Sequence, residues 1–158
     1  MNFMSIFNQK PKAFASLRGS NRFPKINGVV YFFEIKDGIV VVTNVSGLPD
    51  IQNGFRSPVF AFHIHSGTSC SGNQTDYFAN TKNHYNPQNN PHPYHAGDMP
   101  PLFGCNGSAF SAFLTNRFTI KEIIGKTVVI HYNNDDFKTQ PSGNSGEKIA
   151  CGEIKIHP

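Results

Sequence analysis

Six of the seven histidines in this chain belong to one spaced set: His63-Ile64-His65, then His84, His92 and His95, and finally His131, with Asp98 three residues after His95. Imidazole is the commonest protein ligand for zinc and suits copper equally well. A chain that uses this set must fold so that residues as distant as His63 and His131 meet. Six imidazoles and one carboxylate give seven donor side chains. Two four-coordinate metals need one more than that, which calls for a shared ligand.

The 158 residues suffice for one domain with a sizeable core, and residues 1–11 read as an N-terminal extension to it. No apolar run is long enough to span a bilayer. Met1 to Ser20 carries Lys10, Lys12 and Arg18 and lacks the apolar stretch of a secretory signal, so the chain reads as cytoplasmic or as the mature form of an exported protein. The formal net charge is +4, but the cations are dispersed and not interleaved with aromatics, which argues against nucleic acid as a partner. A mild positive field suits a small anionic substrate. Three cysteines, Cys70, Cys105 and Cys151, are too few for a disulfide-rich scaffold and leave room for one pair and one free thiol.

The pattern along the chain is all-β. Gly28–Ile35 and Gly38–Val45 are β-branched and aromatic runs separated by a turn ending in Asp37-Gly38, a strong hairpin signal. Val59–His65 and Ser108–Leu114 alternate in polarity. Lys12–Leu17, Thr127–Tyr132 and Gly152–Ile156 complete the strand candidates, and Ile120–Ile124 reads as one helical turn. Short strands separated by turn residues favour a sandwich or barrel. Ser66–Pro101 differs: it is rich in Asn, Gly, Pro and His and almost empty of aliphatics. Metal ligation would order so long a loop without an apolar anchor. A second polar stretch, Asn133–Gly146, contains Asp135 and Asp136.

Residues two apart on a strand face one side, so His63 and His65 present both imidazoles together. Taken singly, such a pair, or His131 on an apolar strand, is more often a satisfied core histidine than a ligand. The combination points the other way. His84, His92, His95 and Asp98 supply three nitrogens and one carboxylate oxygen, a donor set suited to tetrahedral zinc, and Gly97 lets the backbone turn to bring Asp98 in.

The motifs FHIH at 62–65, HYNP at 84–87, His92, HAGD at 95–98, VVIHYNNDD at 128–136 and GNSGEKIACGEI at 143–154 occur in one order over nearly the whole chain. In this the chain resembles the copper–zinc superoxide dismutase family. HIHSGTSC, the long insert before His84 and GDMPPL are closest to its bacterial branch. The resemblance implies an eight-stranded antiparallel Greek-key sandwich or barrel with long metal-binding and electrostatic loops. It implies copper on His63, His65, His84 and His131, and zinc on His84, His92, His95 and Asp98, with His84 as the shared bridge. It places on Asp135, rather than Asp136, the carboxylate that orients one copper histidine and one zinc histidine. It pairs Cys70 with Cys151 and leaves Cys105 as a free thiol in a turn.

The implied activity is disproportionation of superoxide to oxygen and hydrogen peroxide, with His84 carrying a proton. The expected partner is the superoxide anion, with no nucleic acid and no membrane insertion; a second copy of the chain, as a homodimer, stays open. One position departs from the family. Where it has an arginine beside copper, this chain has Lys148, preceded by Glu147. Lysine keeps the charge and loses the planar fork of donors. Lys138 is a further candidate for steering the anion. The departure motivates the alternative of a noncatalytic copper- and zinc-binding protein on the same fold. A zinc-only site, with His63, His65 and His131 idle, is the third reading.

Overall fold

The computed structural model describes Ile6 and residues 8–52, 54–56 and 58–158. Most of the expected N-terminal extension lies outside or at the edge of these residues. Ile6 itself is buried against Phe33, Val40 and Val42.

The strands are β1 (Ala13–Gly19), β2 (Asn27–Ile35), β3 (Gly38–Ser46), β4 (Ile51–Gln52), β5 (Phe55–Arg56), β6 (Val59–Phe60), β7 (Phe62–His65), β8 (Leu102–Phe103), β9 (Ser108–Thr115), β10 (Thr127–His131) and β11 (Lys148–Ile156). One helical turn, α1 (Ile120–Ile123), lies between β9 and β10. The main sheet has the order β7-β10-β11-β1-β2-β3-β9, and every pairing in it is antiparallel. β6 pairs with β8, and a bridge from Cys105 to Ser108 connects β8 to the start of β9. The sheet therefore curls until its two edges are linked through short strands. Among the described residues no helix is long and apolar enough to cross a membrane.

Alternation builds the interior. Ala13, Ala15 and Leu17 of β1, Val30 and Phe32 of β2, and Ile39, Val41 and Val45 of β3 point inward and join Phe60, Phe62, Ile64, Ile130 and Ile154 in one core. Burying a side chain such as Phe32 or Ile64 stabilises by roughly 1.5–3 kcal/mol each, before the cost in conformational entropy. The hairpin between β2 and β3 turns at Lys36-Asp37, as the Asp-Gly pair predicts. α1 is capped by Thr119, whose backbone N–H and hydroxyl both donate to Glu122 Oε2.

β7 and β10 depart from simple alternation. Every residue of both strands is buried. Phe62, Ile64, Val128 and Ile130 fill the core. The alternate residues, His63, His65, Thr127, Val129 and His131, face out of the sheet and are covered by the loop 66–101. That loop has few apolar anchors: Phe78 packs with Val129 and Cys151, and Met99 reaches the main core, with Tyr85 against it.

Candidate metal centre

Strand geometry assembles the first donor set. His63 lies opposite Val129 and His65 opposite Thr127 in the β7–β10 ladder. His131 has the parity of Thr127 and Val129, so all three imidazoles emerge on one face. A register shift between Ile130 and His131 places His131 opposite Lys148 of β11.

The loop supplies the rest by pairing with the free edge of β7. His65 bridges to His84, and His63 bridges to Asp98. Tyr85 N–H donates to Ile64 O, Ile64 N–H donates to Gly97 O, and Gly97 N–H donates to Tyr85 O, each at 2.8 Å. This corrects the expected role of Gly97. Its value is close approach and not an unusual turn, because a Cβ there would overlap Ile64 O.

Two groups of buried donors result: His63, His65, His84 and His131, and His84, His92, His95 and Asp98. In each, the donor atoms lie within 4.8 Å of one another. All seven sequence-predicted ligands are thus brought together, and His84 belongs to both groups.

Hydrogen bonding assigns the protons. A carbonyl or carboxylate oxygen only accepts, so an imidazole nitrogen facing one must donate, and a neutral ring has a single proton to give. His65 Nδ1 donates to Lys82 O at 2.7 Å, and His131 Nδ1 donates to Gly146 O at 3.2 Å. Their Nε2 lone pairs therefore oppose each other at 3.1 Å. His63 Nε2 and His92 Nε2 each donate to Asp135 at 2.8 Å. Their Nδ1 atoms have no hydrogen-bond partner, and neither has His84 Nε2. His92 Nδ1 sits 3.0 Å from Asp98 Oδ2, a lone pair against a carboxylate. Buried lone pairs converging on one another repel unless a cation lies between them.

Distances in the second group suit zinc. His84 Nδ1 is 2.8 Å from Asp98 Oδ1 and 3.3 Å from His95 Nδ1, and His95 Nδ1 is 3.3 Å from Asp98 Oδ2. A tetrahedral ion with bonds of 2.0–2.1 Å holds its donors about 3.3 Å apart. In the first group, the His84 ring centroid lies 3.9 Å from that of His63 and 5.0 Å from that of His65.

Burial, reinforced by the neighbouring imidazoles, holds His63 and His65 well below the usual histidine range. Burial likewise takes His131 from 6.5 down to about 3, against the opposing effect of the Gly146 carbonyl. Asp98 is pushed up by burial, but its hydrogen bond from His84 and the surrounding imidazoles outweigh this and keep it below the ordinary carboxylate value. Neutral imidazoles beside an ionised carboxylate are the protonation states that metals require. The metal-free protein should consequently weaken in acid. The unfolded chain protonates such a histidine near 6.5 while the folded chain resists until about 3, so the unfolded state binds more protons in between and stability falls with pH over that window. Urea midpoints of metal-free protein at about pH 7 and about pH 5 test this, and equal midpoints would refute it.

Asp135 makes the double contact expected of it. Asp136 instead accepts from Lys138 N, Thr139 N and Thr139 Oγ1, closing a turn away from the histidines. Gly143 packs so tightly on Asp135 and His92 that a Cβ would meet both. Sequence reasoning missed two further supports. Gln140 donates to His92 O at 2.8 Å and accepts from His92 N at 2.9 Å. Arg117 Nη1 donates to the carbonyls of Pro93, His95 and Asp98, clamping the loop that carries His92, His95 and Asp98. Contacts to carbonyls leave no signature in a sequence.

A cleft of about 440 Å³ opens over His65, His84 and His131, with Lys82 and Lys148 in its walls. Lys148 Nζ donates to Asp76 Oδ2 at 2.7 Å and to Phe78 O at 3.2 Å. Glu147 pairs with Arg22 at 2.9 Å. Lys138 is not among the residues that line this cleft. A larger cleft of about 680 Å³ lies over the disulfide and contains none of the ligand set. That disulfide joins Cys70 to Cys151 with a Cα separation of 5.6 Å, and Cys105 is free and exposed.

A curled antiparallel sheet whose outer face carries two buried donor groups sharing one histidine, each able to hold a metal ion, defines a class of β-sheet metal-binding proteins. The sequence model described as copper/zinc superoxide dismutase (SODC) matches residues 26–154, and the chain belongs to that family. It is 32% identical to superoxide dismutase (Cu-Zn) 2 of Aquifex aeolicus, over 94% of this chain and 90% of that protein. It is 34% identical to a Cu-Zn superoxide dismutase of Legionella pneumophila, over 84% and 80% of the two chains. Among solved structures, a double mutant of a SOD-like protein from Bacillus subtilis superposes with a TM-score of 0.71 at 28% identity, covering 88% of this chain and 94% of the other.

Proposed function

We infer that the protein is a superoxide dismutase, converting two superoxide anions and two protons into dioxygen and hydrogen peroxide. The observation that carries this reading is the double set of converging donors joined at His84, in which His63 Nδ1, His84 Nε2 and His92 Nδ1 have no hydrogen-bond partner. His63, His65, His84 and His131 would hold copper, and His84, His92, His95 and Asp98 would hold zinc. Copper, when bound, supplies the one-electron chemistry, accepting an electron from one superoxide and returning it to the next.

The chain's own residues do the remainder. Asp135 holds His63 and His92 in fixed orientation by accepting from both Nε2 atoms. The carbonyls of Lys82 and Gly146 do the same for His65 and His131. His84 turns Nδ1 to the zinc group and leaves Nε2 for the copper group. In this reading Nε2 takes up a proton when superoxide is oxidised and gives it to the peroxide formed from the next. His84 lines the cleft, with Nε2 itself buried on the side of the copper group. Lys148, in the place of the family arginine, forms the wall beside His131.

The test is to load the protein with both metals and follow superoxide decay by pulse radiolysis. Acceleration well beyond that of an equal amount of free copper is expected. Stoichiometric metal uptake without such acceleration would establish the noncatalytic alternative instead.

A further inference from the structure

We propose that Lys82 provides the net positive charge that draws superoxide into the cleft, whereas Lys148 and Asp76 act together as a neutral pair; this rests on the dismutase reading. Two lysines and no carboxylate line the cleft. They are not equivalent. Lys148 Nζ lies 2.7 Å from Asp76 Oδ2, and its side chain is only 15% exposed. Seen from an approaching anion, a cation and an anion this close form a dipole, whose field falls off faster than that of a single charge. Lys82 is exposed and has no ion-pair partner among the described residues. Lys138, within the second polar stretch, is absent from the cleft lining.

The backbone adds an independent observation. Lys82 adopts φ 61° and ψ −147°, a region that glycine enters freely and that any side chain makes costly. The conformation aims Lys82 O at His65 Nδ1, 2.7 Å away. Glycine would meet that requirement with less strain, so the lysine side chain is carried at a cost, beside a copper-group histidine and two residues before His84. Strained residues of this kind gather at functional sites. Because the link to His65 is made by the main chain, changing the Lys82 side chain leaves it in place.

The experiment uses protein loaded with copper and zinc and azide as a small anionic probe, its affinity read from the visible absorption of the copper. The variants are Lys82→Gln, Lys82→Arg, and the double replacement Asp76→Asn with Lys148→Gln. The double is needed because removing Lys148 alone would leave Asp76 as an uncompensated negative charge. At an ionic strength of about 0.01 M, Lys82→Gln should weaken azide about threefold, while Lys82→Arg and the neutral double stay near the parent. The Lys82→Gln effect should shrink at about 0.15 M, where charges are screened beyond roughly 8 Å. Unchanged azide affinity in Lys82→Gln, or a larger loss in the double, overturns the proposal while the dismutase reading stands. A parent protein that takes up no copper at these histidines overturns both.

Discussion

His84→Ala is expected to remove dismutase activity by at least about 100-fold and to deplete both metals at once. The expectation follows from its two nitrogens serving two groups: Nδ1 lies against Asp98 and His95, and Nε2 is buried without a partner. Alanine takes one donor from each group and leaves the other imidazoles and Asp98 converging on incomplete sites. His131→Ala provides the contrast. His131 belongs only to the first group, so that variant should lose copper and keep zinc. The metal-free forms of both variants should melt somewhat below the metal-free parent, because each loses a buried hydrogen bond, from His84 to Asp98 or from His131 to the Gly146 carbonyl. Metal analysis of the purified variants decides the matter. If His84→Ala retained zinc and copper at parental levels, the shared-ligand arrangement would be wrong.

The second large effect concerns the disulfide. Replacing Cys70 and Cys151 together by serine should lower stability by about 4 kcal/mol, the chain-entropy value for a loop of this size. The bond closes a loop of 81 residues that contains β9, β10 and the metal loop from Cys70 onward. It ties that loop to β11 at a point where Phe78, Tyr77 and Val129 pack beside it. For a chain of this length the loss corresponds to a fall of roughly 8–16 °C in melting temperature. Calorimetry of the oxidised parent and the serine variant, both metal-free, measures it directly. Equal melting temperatures would show that the loop is held by other means. With metals bound the gap should narrow, because coordination restrains the same segment.

Much of this was legible beforehand, for identifiable reasons. Strand alternation and the Asp37-Gly38 turn placed β2, β3, β9 and β10 within a residue or two. The same two-residue period put His63 and His65 on one face. The ligand set was readable because few chemistries call for so many histidines, and the shared position and the Asp135 link came from the family resemblance. What escaped were elements too short to carry a period, namely β4, β5 and β8. β11 begins four residues before the expected Gly152, because Lys148–Cys151 extend the ladder with β10. Pairings across long stretches of chain also escaped. Nothing local in the sequence ties Lys148 to Asp76, Arg22 to Glu147 or Arg117 to the carbonyls of Pro93, His95 and Asp98. Lys82 was overlooked because its significance lies in a backbone angle and in the lack of a partner.

The free edge of β7 is covered by His84–Tyr85 and Gly97–Asp98, so the residues that grip the metals also seal the rim of the sheet. An unsealed strand edge is a template on which another chain can add. A newly made chain, before its loop is laid down and its cysteines are joined, presents that edge next to the apolar Phe62 and Ile64. Laying down the metal loop therefore does two things at once: it brings the donors together and it removes the strand edge on which a second chain could add.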